Sequence, residues 1–160
     1  MRAVILLSHG SVLCGAERNL IALARSLAGR VEAGIVEAAF LNYSSPLFES
    51  VIEKSATQGA TEIDVVPYFL VAGTFVADEL PVRIESMRAR FPRVRFRVAD
   101  AIRYHPRLAD AVLACADRPR SPSLRRDEAV AQATRFCRNS PKCPIYETDA
   151  CPRRAQEVPA

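Results

Sequence analysis

One histidine directly follows the first apolar run of the chain, and its residue type is suited to chemistry. His9 lies in the stretch SHGSVLCG, between Ser8 and Gly10, just after MRAVILL. Imidazole binds metals and exchanges protons near neutral pH, and a neighbouring glycine lets the backbone approach a ligand closely. The residue types leave two interpretations open: a functional histidine, or one hydrogen-bonded at the end of a strand.

Other polar motifs in the chain carry weaker signals. Cys14 and His9 could pair as nucleophile and base, but no third residue orients them. Gly10 and Gly15 match neither GxxxxGK[ST] nor GxGxxG, so a phosphate loop is not expected. The second histidine, His105, precedes a predicted helix, where it could cap the helix or contact a ligand.

Three cysteines near the carboxyl terminus have the spacing C-x5-C-x7-C. Thiolates bind zinc and iron–sulfur clusters. Neither gap is the common CxxC, and a tetrahedral site needs a fourth ligand, from a further cysteine or from a second copy of the chain. Free thiols are the alternative. The candidate ligands are Cys137, Cys143, Cys151 and Cys115.

Short apolar strands alternate with amphipathic helices along the chain, which predicts an α/β fold. The first strand, residues 3–7, is continuously apolar, as expected for a central parallel strand covered on both faces. Further strands are predicted over 34–41, 62–71 and 94–99, and the last alternates like an edge strand. Helices are predicted over 16–27, after a loop at 42–46, after a loop at 72–81, and over 108–115.

Prolines refine these boundaries. Pro67 lacks an N–H for the ladder, so regular strand pairing should weaken there. Pro46 suits the first turn of the second helix, with Ser44 or Ser45 as its cap. The third helix has one apolar face, formed by Leu80, Ile84, Met87 and Phe91.

The predicted fold is an open, mostly parallel four-stranded sheet with helices on both faces. Ligands of such sheets bind beyond the carboxyl ends of the strands, where the loops 8–15, 42–46 and 72–81 meet. His9 is therefore at the edge where a functional residue is expected. This α/β domain covers residues 1–116, and residues 117–160 are predicted to be a Pro/Arg-rich linker, a short helix and a cysteine-containing tail.

Composition narrows the classes of function. The chain has 160 residues, 49% of them hydrophobic, and a net charge of +4. Its arginines are scattered, so nucleic-acid binding is not expected. No apolar run approaches the ~20 residues of a membrane span, and no signal-peptide pattern is seen, so a cytoplasmic protein without a membrane partner is predicted. Cysteines usually stay reduced in that compartment, which favours metal, cluster or redox roles over structural disulfides.

Four segments resemble the small sirohydrochlorin chelatases, the CbiX/SirB-type members of the class II chelatase superfamily. They are VILLSHGS, VEAAFLNYSSPLFESVIE, VVPYFLVAGTFVADELP and ADAIRYHPRLADAVL, all within residues 3–116. The resemblance implies insertion of divalent cobalt, iron or nickel into a sirohydrochlorin-type tetrapyrrole for cobalamin or sirohaem-type cofactors. It also implies a homodimer, since the small members are similar to one half of the larger chelatases.

The same resemblance implies the site residues. His9 matches the family's first metal-binding histidine, which would hold the metal and accept pyrrole protons. The position of a second family histidine is Phe75 here, and that of a family glutamate is Asn42. Phenylalanine cannot ligate a metal, although it offers a stacking surface for a macrocycle. The implied substrate-binding residues are Ser8, Gly10, Asn42, Gly73, Phe75 and His105.

These departures from the family pattern leave two functions open. The first is a metal chelatase in which further residues help His9, with Cys14, Glu37, Asp78 and Glu79 as candidates. The alternative is a catalytically altered CbiX-like module that binds a tetrapyrrole or carries a metal or iron–sulfur cluster. Arg83 and Arg103 are candidates to attract the carboxylates of the tetrapyrrole. Because some relatives carry cysteine-rich extensions, the resemblance also implies a cluster or zinc in the tail.

Overall fold

The chain forms two compact units in the computed structural model, which describes residues 1–11, 16–71, 73–103 and 105–118. It also describes Asn139, Pro141, Tyr146, Glu147, Thr148 and Cys151. The first unit contains residues 1–10 and 17–104, and the second contains 11–16 and 105–160. Most of the predicted linker and tail lies outside the described residues, so the boundary at residue 116 stays a prediction.

The first unit is built on a parallel four-stranded sheet in the order β2-β1-β3-β4. Its strands are β1 (Arg2–Ser8), β2 (Ile35–Phe40), β3 (Glu62–Pro67) and β4 (Arg95–Val98). The central strand, β1, pairs with β2 on one side and with β3 on the other. Residues 3–7 of β1 are all buried, and β4 lies at an edge, which confirms both strand predictions.

Helices cover the two faces of this sheet. On one face, Leu20 and Ala24 of α1 (Arg18–Leu27) pack against alternate residues of β1 and β2. On the other face, α2 (Phe48–Thr57) and α3 (Leu80–Arg90) pack against the opposite set, including Ile5 and Ile63. The predicted fold class is confirmed. The second unit contains α4 (Pro106–Ala116), and none of the helices among the described residues is long and apolar enough to cross a membrane.

The third strand is shorter than predicted. It ends at Pro67 instead of continuing to residue 71. The next N–H, that of Tyr68, still donates to the Leu7 carbonyl at 2.7 Å, and regular pairing stops there. The predicted weakening at Pro67 is confirmed, and the extension beyond it was wrong because a proline removes one donor from the ladder.

The segment predicted as a loop over 72–81 is largely helical. A short π-helix, Phe75–Glu79, runs directly into α3, and the Leu80 N–H bonds to the Phe75 carbonyl. Pro81 lies in the first turn of α3. The loop prediction was wrong because Pro81, in the first turn of α3, does not prevent the residues before it from forming a π-helical turn.

The predicted serine cap of α2 was also wrong. Leu47 is the N-cap residue, and no side chain caps the helix. The Phe40 N–H donates to the Pro46 carbonyl at 3.0 Å, and Phe40 and Leu47 form an isolated parallel bridge. The chain therefore runs back against the end of β2 before the helix begins, and Ser44 is buried in this turn.

Candidate functional site

The carboxyl end of the sheet holds His9 by its backbone. Ser8 is the last residue of β1, and its carbonyl accepts the Leu41 N–H at 2.9 Å. The His9 carbonyl accepts the Asn42 N–H, also at 2.9 Å. These bonds continue the pairing of β1 and β2 past both strand ends, so the half-buried His9 has a defined position beside Asn42.

Gly10 makes this close approach sterically feasible. Its φ of 90° lies in the left-handed region, and a Cβ built there would be 1.8 Å from the Asn42 carbonyl oxygen. Only glycine fits both conditions. The His9 Nδ1 lies 3.2 Å from the Gly10 carbonyl oxygen. A carbonyl only accepts, so Nδ1 carries the proton in this bond and a neutral His9 keeps its lone pair on Nε2.

Two aromatic rings lie against the imidazole of His9. The Phe75 ring centroid is 4.2 Å from that of His9, with the planes tilted by 54°. The Tyr43 ring is at 5.8 Å with a tilt of 56°. The structure thus brings together His9, Gly10, Asn42 and Phe75, as predicted. Tyr43 is not among the predicted site residues, and only its position in the loop after the second strand could have indicated it.

Asn42 is tied to two charged residues on the helices. Its Oδ1 accepts from Arg83 Nη2 at 3.4 Å, and Arg83 Nη1 forms an ion pair with Glu49 at 2.8 Å. Glu49 lies in the first turn of α2, and the three side chains are partly buried or half-exposed. Arg83 therefore lies next to the site, as expected for a candidate contact to the tetrapyrrole. Its charge is already matched by the Glu49 carboxylate, which is not among the predicted site residues.

The segment after β3 supplies Gly73 and Phe75. The Gly73 carbonyl accepts the N–H groups of Val76 and Ala77 at 2.9 and 3.0 Å, which begins the π-helix. This turn carries the Phe75 ring to His9. Of the two acidic candidates on the π-helix, Asp78 is exposed and Glu79 is half-buried. π-Helical turns within helices are frequent at functional sites.

Two other charged candidates have partners elsewhere. Glu37 lies in the middle of β2 and pairs with Lys54 of α2 at 2.5 Å. Arg103 has a left-handed φ of 46° and pairs with Asp100 at 3.2 Å. Glu37 and Arg103 are therefore members of surface ion pairs. Cys14 lies outside the described residues.

The remaining candidates belong to the second unit. His105 is the N-cap of α4, and its Nδ1 accepts the Arg107 N–H at 3.2 Å, which confirms the helix-capping interpretation. Cys115 is exposed near the end of α4, and Cys151 is half-buried. Cys137 and Cys143 lie outside the described residues. Within the part of the chain that the structure describes, no three His, Cys, Asp or Glu side chains are grouped to hold a metal ion.

The sequence model of the CbiX family matches residues 3–118. The chain belongs to the CbiX family. The match covers all four strands of the sheet, the three helices of the first unit and the whole of α4. CbiX membership therefore rests on the same part of the chain that carries the site around His9.

Similar proteins agree with this assignment. A sirohydrochlorin cobaltochelatase of Priestia megaterium is 27% identical over 106 residues, which are 66% of this chain and 34% of the relative. The chain thus spans about a third of the length of that curated relative. A cobalamin biosynthesis CbiX protein from Marinobacter aquaeolei VT8 has a TM-score of 0.60 and 28% identity, over 73% of this chain and 95% of that structure.

A further solved structure resembles this CbiX chain in fold. The sirohydrochlorin chelatase SirB from Bacillus subtilis subspecies spizizenii, in complex with cobalt, has a TM-score of 0.67 and 26% identity. The match covers 79% of this chain and 58% of that structure. The four-stranded α/β architecture is therefore that of known CbiX and SirB proteins.

Proposed function

We propose that this CbiX chain is a metal chelatase that inserts divalent cobalt, iron or nickel into a sirohydrochlorin-type tetrapyrrole. The observation that carries the proposal is His9 at the carboxyl end of β1, with Nδ1 bound to the Gly10 carbonyl and Nε2 left as the acceptor. Membership of the CbiX family and the names of its similar proteins support it.

His9 has the chemistry that the reaction requires. Insertion exchanges two pyrrole N–H protons for a divalent cation, so a base and a metal ligand are both useful beside the macrocycle. The lone pair on Nε2 can serve in either role. The Gly10 carbonyl holds the ring through Nδ1, in the way that partners of the second ring nitrogen orient metal-binding histidines.

The other site residues have supporting roles in this proposal. Ser8 and Gly10 hold the backbone of His9, and Asn42 offers a neutral amide where the family pattern has a glutamate. Gly73 begins the turn that brings Phe75 against the imidazole, where the phenyl ring presents an apolar surface to a macrocycle. His105 stays a predicted substrate contact, with its helix cap as the described interaction.

Metal insertion by the purified full chain tests the proposal. We expect faster cobalt, iron or nickel incorporation into sirohydrochlorin than in a metal-only control, and a loss of about 100-fold or more in His9→Ala, as for removal of a general base. Arg93→Ala, before β4 at the opposite end of the parallel strands, is the matched control and should keep the wild-type rate. A wild type no faster than metal alone with all three ions would contradict the proposal.

One observation favours a second function, a module that binds the tetrapyrrole without inserting metal. A phenyl ring lies 4.2 Å from the His9 ring where a second histidine would add a ligand. This function predicts sirohydrochlorin binding by the wild type without insertion, and a gain of insertion in Phe75→His, since a second imidazole would share the metal. Insertion by the wild type would reject it.

The proposed enzyme is a cytoplasmic homodimer. The homodimer is supported by the resemblance to small chelatases that are similar to one half of a larger one, and the match covers 58% of the SirB structure. Light scattering coupled to size-exclusion chromatography should give twice the chain mass of 17.6 kDa. A mass of one chain at micromolar concentration would contradict the dimer, and fractionation of the native host tests the compartment.

The tail is proposed to bind an iron–sulfur cluster or zinc. Its support is the number of cysteines and the resemblance to relatives with cysteine-rich extensions, together with exposed Cys115 on α4 and half-buried Cys151. We expect bound iron or zinc in the anaerobically purified full chain, and loss of that metal in Cys137→Ser. A colourless protein free of both metals would remove this part of the proposal.

A further inference from the structure

Tyr43 has an unfavourable backbone conformation without an evident gain in packing. Its φ of 60° is in the left-handed region, which L-residues with bulky side chains rarely adopt. Its side chain is 56% exposed, so the ring contributes little to the core. Strain of this kind persists where the surrounding structure holds it, and it is concentrated at functional sites.

The neighbours of Tyr43 hold this conformation on both sides. The Asn42 N–H bonds to the His9 carbonyl, and the Ser44 N–H bonds to the Asn42 carbonyl at 2.6 Å. Ser44 is 1% exposed, so the chain after Tyr43 is anchored in the interior. The loop therefore presents the tyrosine ring at the surface from a backbone that is fixed at either end.

The exposed ring lies beside the residue that carries the proposed chemistry. Tyr43 and Phe75 both contact the His9 imidazole, at centroid distances of 5.8 and 4.2 Å and with similar tilts. Phe75 is half-buried and packs against the core, whereas Tyr43 is open to solvent. Tyr43 is the more exposed of the two rings, so it has the larger surface left for a ligand.

We propose that Tyr43 is a substrate-contact residue whose ring packs against the conjugated macrocycle bound over His9. The proposal rests on the proposed function, because it takes a tetrapyrrole as the ligand. A phenol ring offers a rigid, flat, apolar surface, and aromatic contacts add to binding beyond the area that they bury. Tyr43 thus contributes to affinity for the macrocycle, while His9 acts on the metal and the protons.

The experiment is an absorbance titration of the full chain with metal-free sirohydrochlorin. We expect Tyr43→Asn to weaken binding about tenfold, which is the scale of one lost aromatic contact. Tyr43→Phe keeps the ring and should bind within about twofold of the wild type. Arg93→Asn is the control, because Arg93 is exposed before β4 at the opposite end of the parallel strands from His9, and it should bind like the wild type.

Thermal unfolding of the same variants separates a ligand contact from a structural role. Asparagine tolerates the left-handed region, so Tyr43→Asn should unfold at the wild-type temperature or above it while it binds less tightly. A lower unfolding temperature together with weaker binding would overturn the proposal, as would unchanged binding or an equal loss in Arg93→Asn. If the wild type binds sirohydrochlorin but inserts no metal, the proposed function fails while the role of Tyr43 stands.

Discussion

Gly10 shows how one residue determines the geometry of the candidate site. Its left-handed φ disfavours a side chain, its contact with the Asn42 carbonyl excludes one, and its own carbonyl orients His9. The sequence predicted a close approach between this glycine and a ligand. In the structure, Gly10 instead lies close to the backbone of Asn42 in the neighbouring loop. This contact positions His9 for a ligand.

The loss of stability caused by a methyl group at Gly10 can be compared with the loss at a second glycine that has a left-handed φ. Gly10→Ala should lower the free energy of unfolding by about 2–4 kcal/mol, from backbone strain plus a clash that displaces Asn42. Gly29→Ala is the control, since Gly29 has a φ of 81° but no atom within 4 Å of its would-be Cβ, and it should lose about 1 kcal/mol. Urea denaturation gives both values, and equal losses would contradict the role of the clash.

At the scale of elements, charged pairs attach the edge strand β4 to β3. Glu62 at the start of β3 accepts from Arg95 at 2.8 Å and from Arg97 at 3.1 Å. The hydrogen bond from Arg95, reinforced by the charges of Arg95 and Arg97, lowers the pKa of Glu62 below its ordinary value of 4.5. A lowered pKa favours the folded state while the carboxylate is ionised.

Glu62→Gln should therefore destabilise the protein in a pH-dependent way. The stabilisation is present above pH 4.5 and is lost as the pH falls through the lower pKa of the folded state. Urea denaturation at pH 7 should show the variant unfolding more easily, and the difference from wild type should shrink as the pH falls below 4.5. When Arg95 has first been replaced by Met, Glu62→Gln should change the free energy of unfolding less at pH 7, because the main partner of Glu62 is gone. A difference that is constant with pH would contradict this ion pair as its source.

The π-helix is the element that the sequence predicted least well. Gly and Pro at the two ends of residues 73–81 favoured a loop, yet the chain forms one continuous helical segment from Phe75 into α3. Proline is compatible with a first turn, so its presence could not distinguish the two structures. The orientation of Phe75 toward His9 follows from this helical turn, so it could not be predicted while residues 72–81 were expected to form a loop.

At the scale of the whole molecule, stability depends on the core between the sheet and the pair α2 and α3. Phe48 lies at the start of α2, is fully buried and belongs to the large cluster on this face. The adjacent Leu47 is 43% exposed. Phe48 is therefore closed to solvent and Leu47 is open to it, although both are large apolar residues of the same turn.

Truncation of these two side chains should have very different effects. Phe48→Ala should lower the free energy of unfolding by about 3–5 kcal/mol, through lost burial and a cavity. That loss is a large share of the total free energy of unfolding of a typical domain. Leu47→Ala should lose less than about 1 kcal/mol, because its side chain already contacts water. Similar losses in both variants, measured by chemical denaturation, would contradict this description of the core.

The residue pattern alone was sufficient to predict the alternation of strands and helices, the central position of the first strand and the location of His9 at a strand end. These follow from hydrophobic periodicity, which is a local property and reports burial directly. The identities of Asn42 and Phe75 were likewise visible from sequence, as departures from the family pattern.

The surroundings of His9, in contrast, are visible only in the folded protein. The ion pair of Arg83 and Glu49, separated by 34 positions, and the contact of Phe75 with His9 depend on how three loops meet at one edge. Such contacts are set by strand register and by the helical turn before α3, and neither leaves a periodic signal in the chain. The same holds for Tyr43, whose left-handed conformation is imposed by hydrogen bonds and burial of its neighbours.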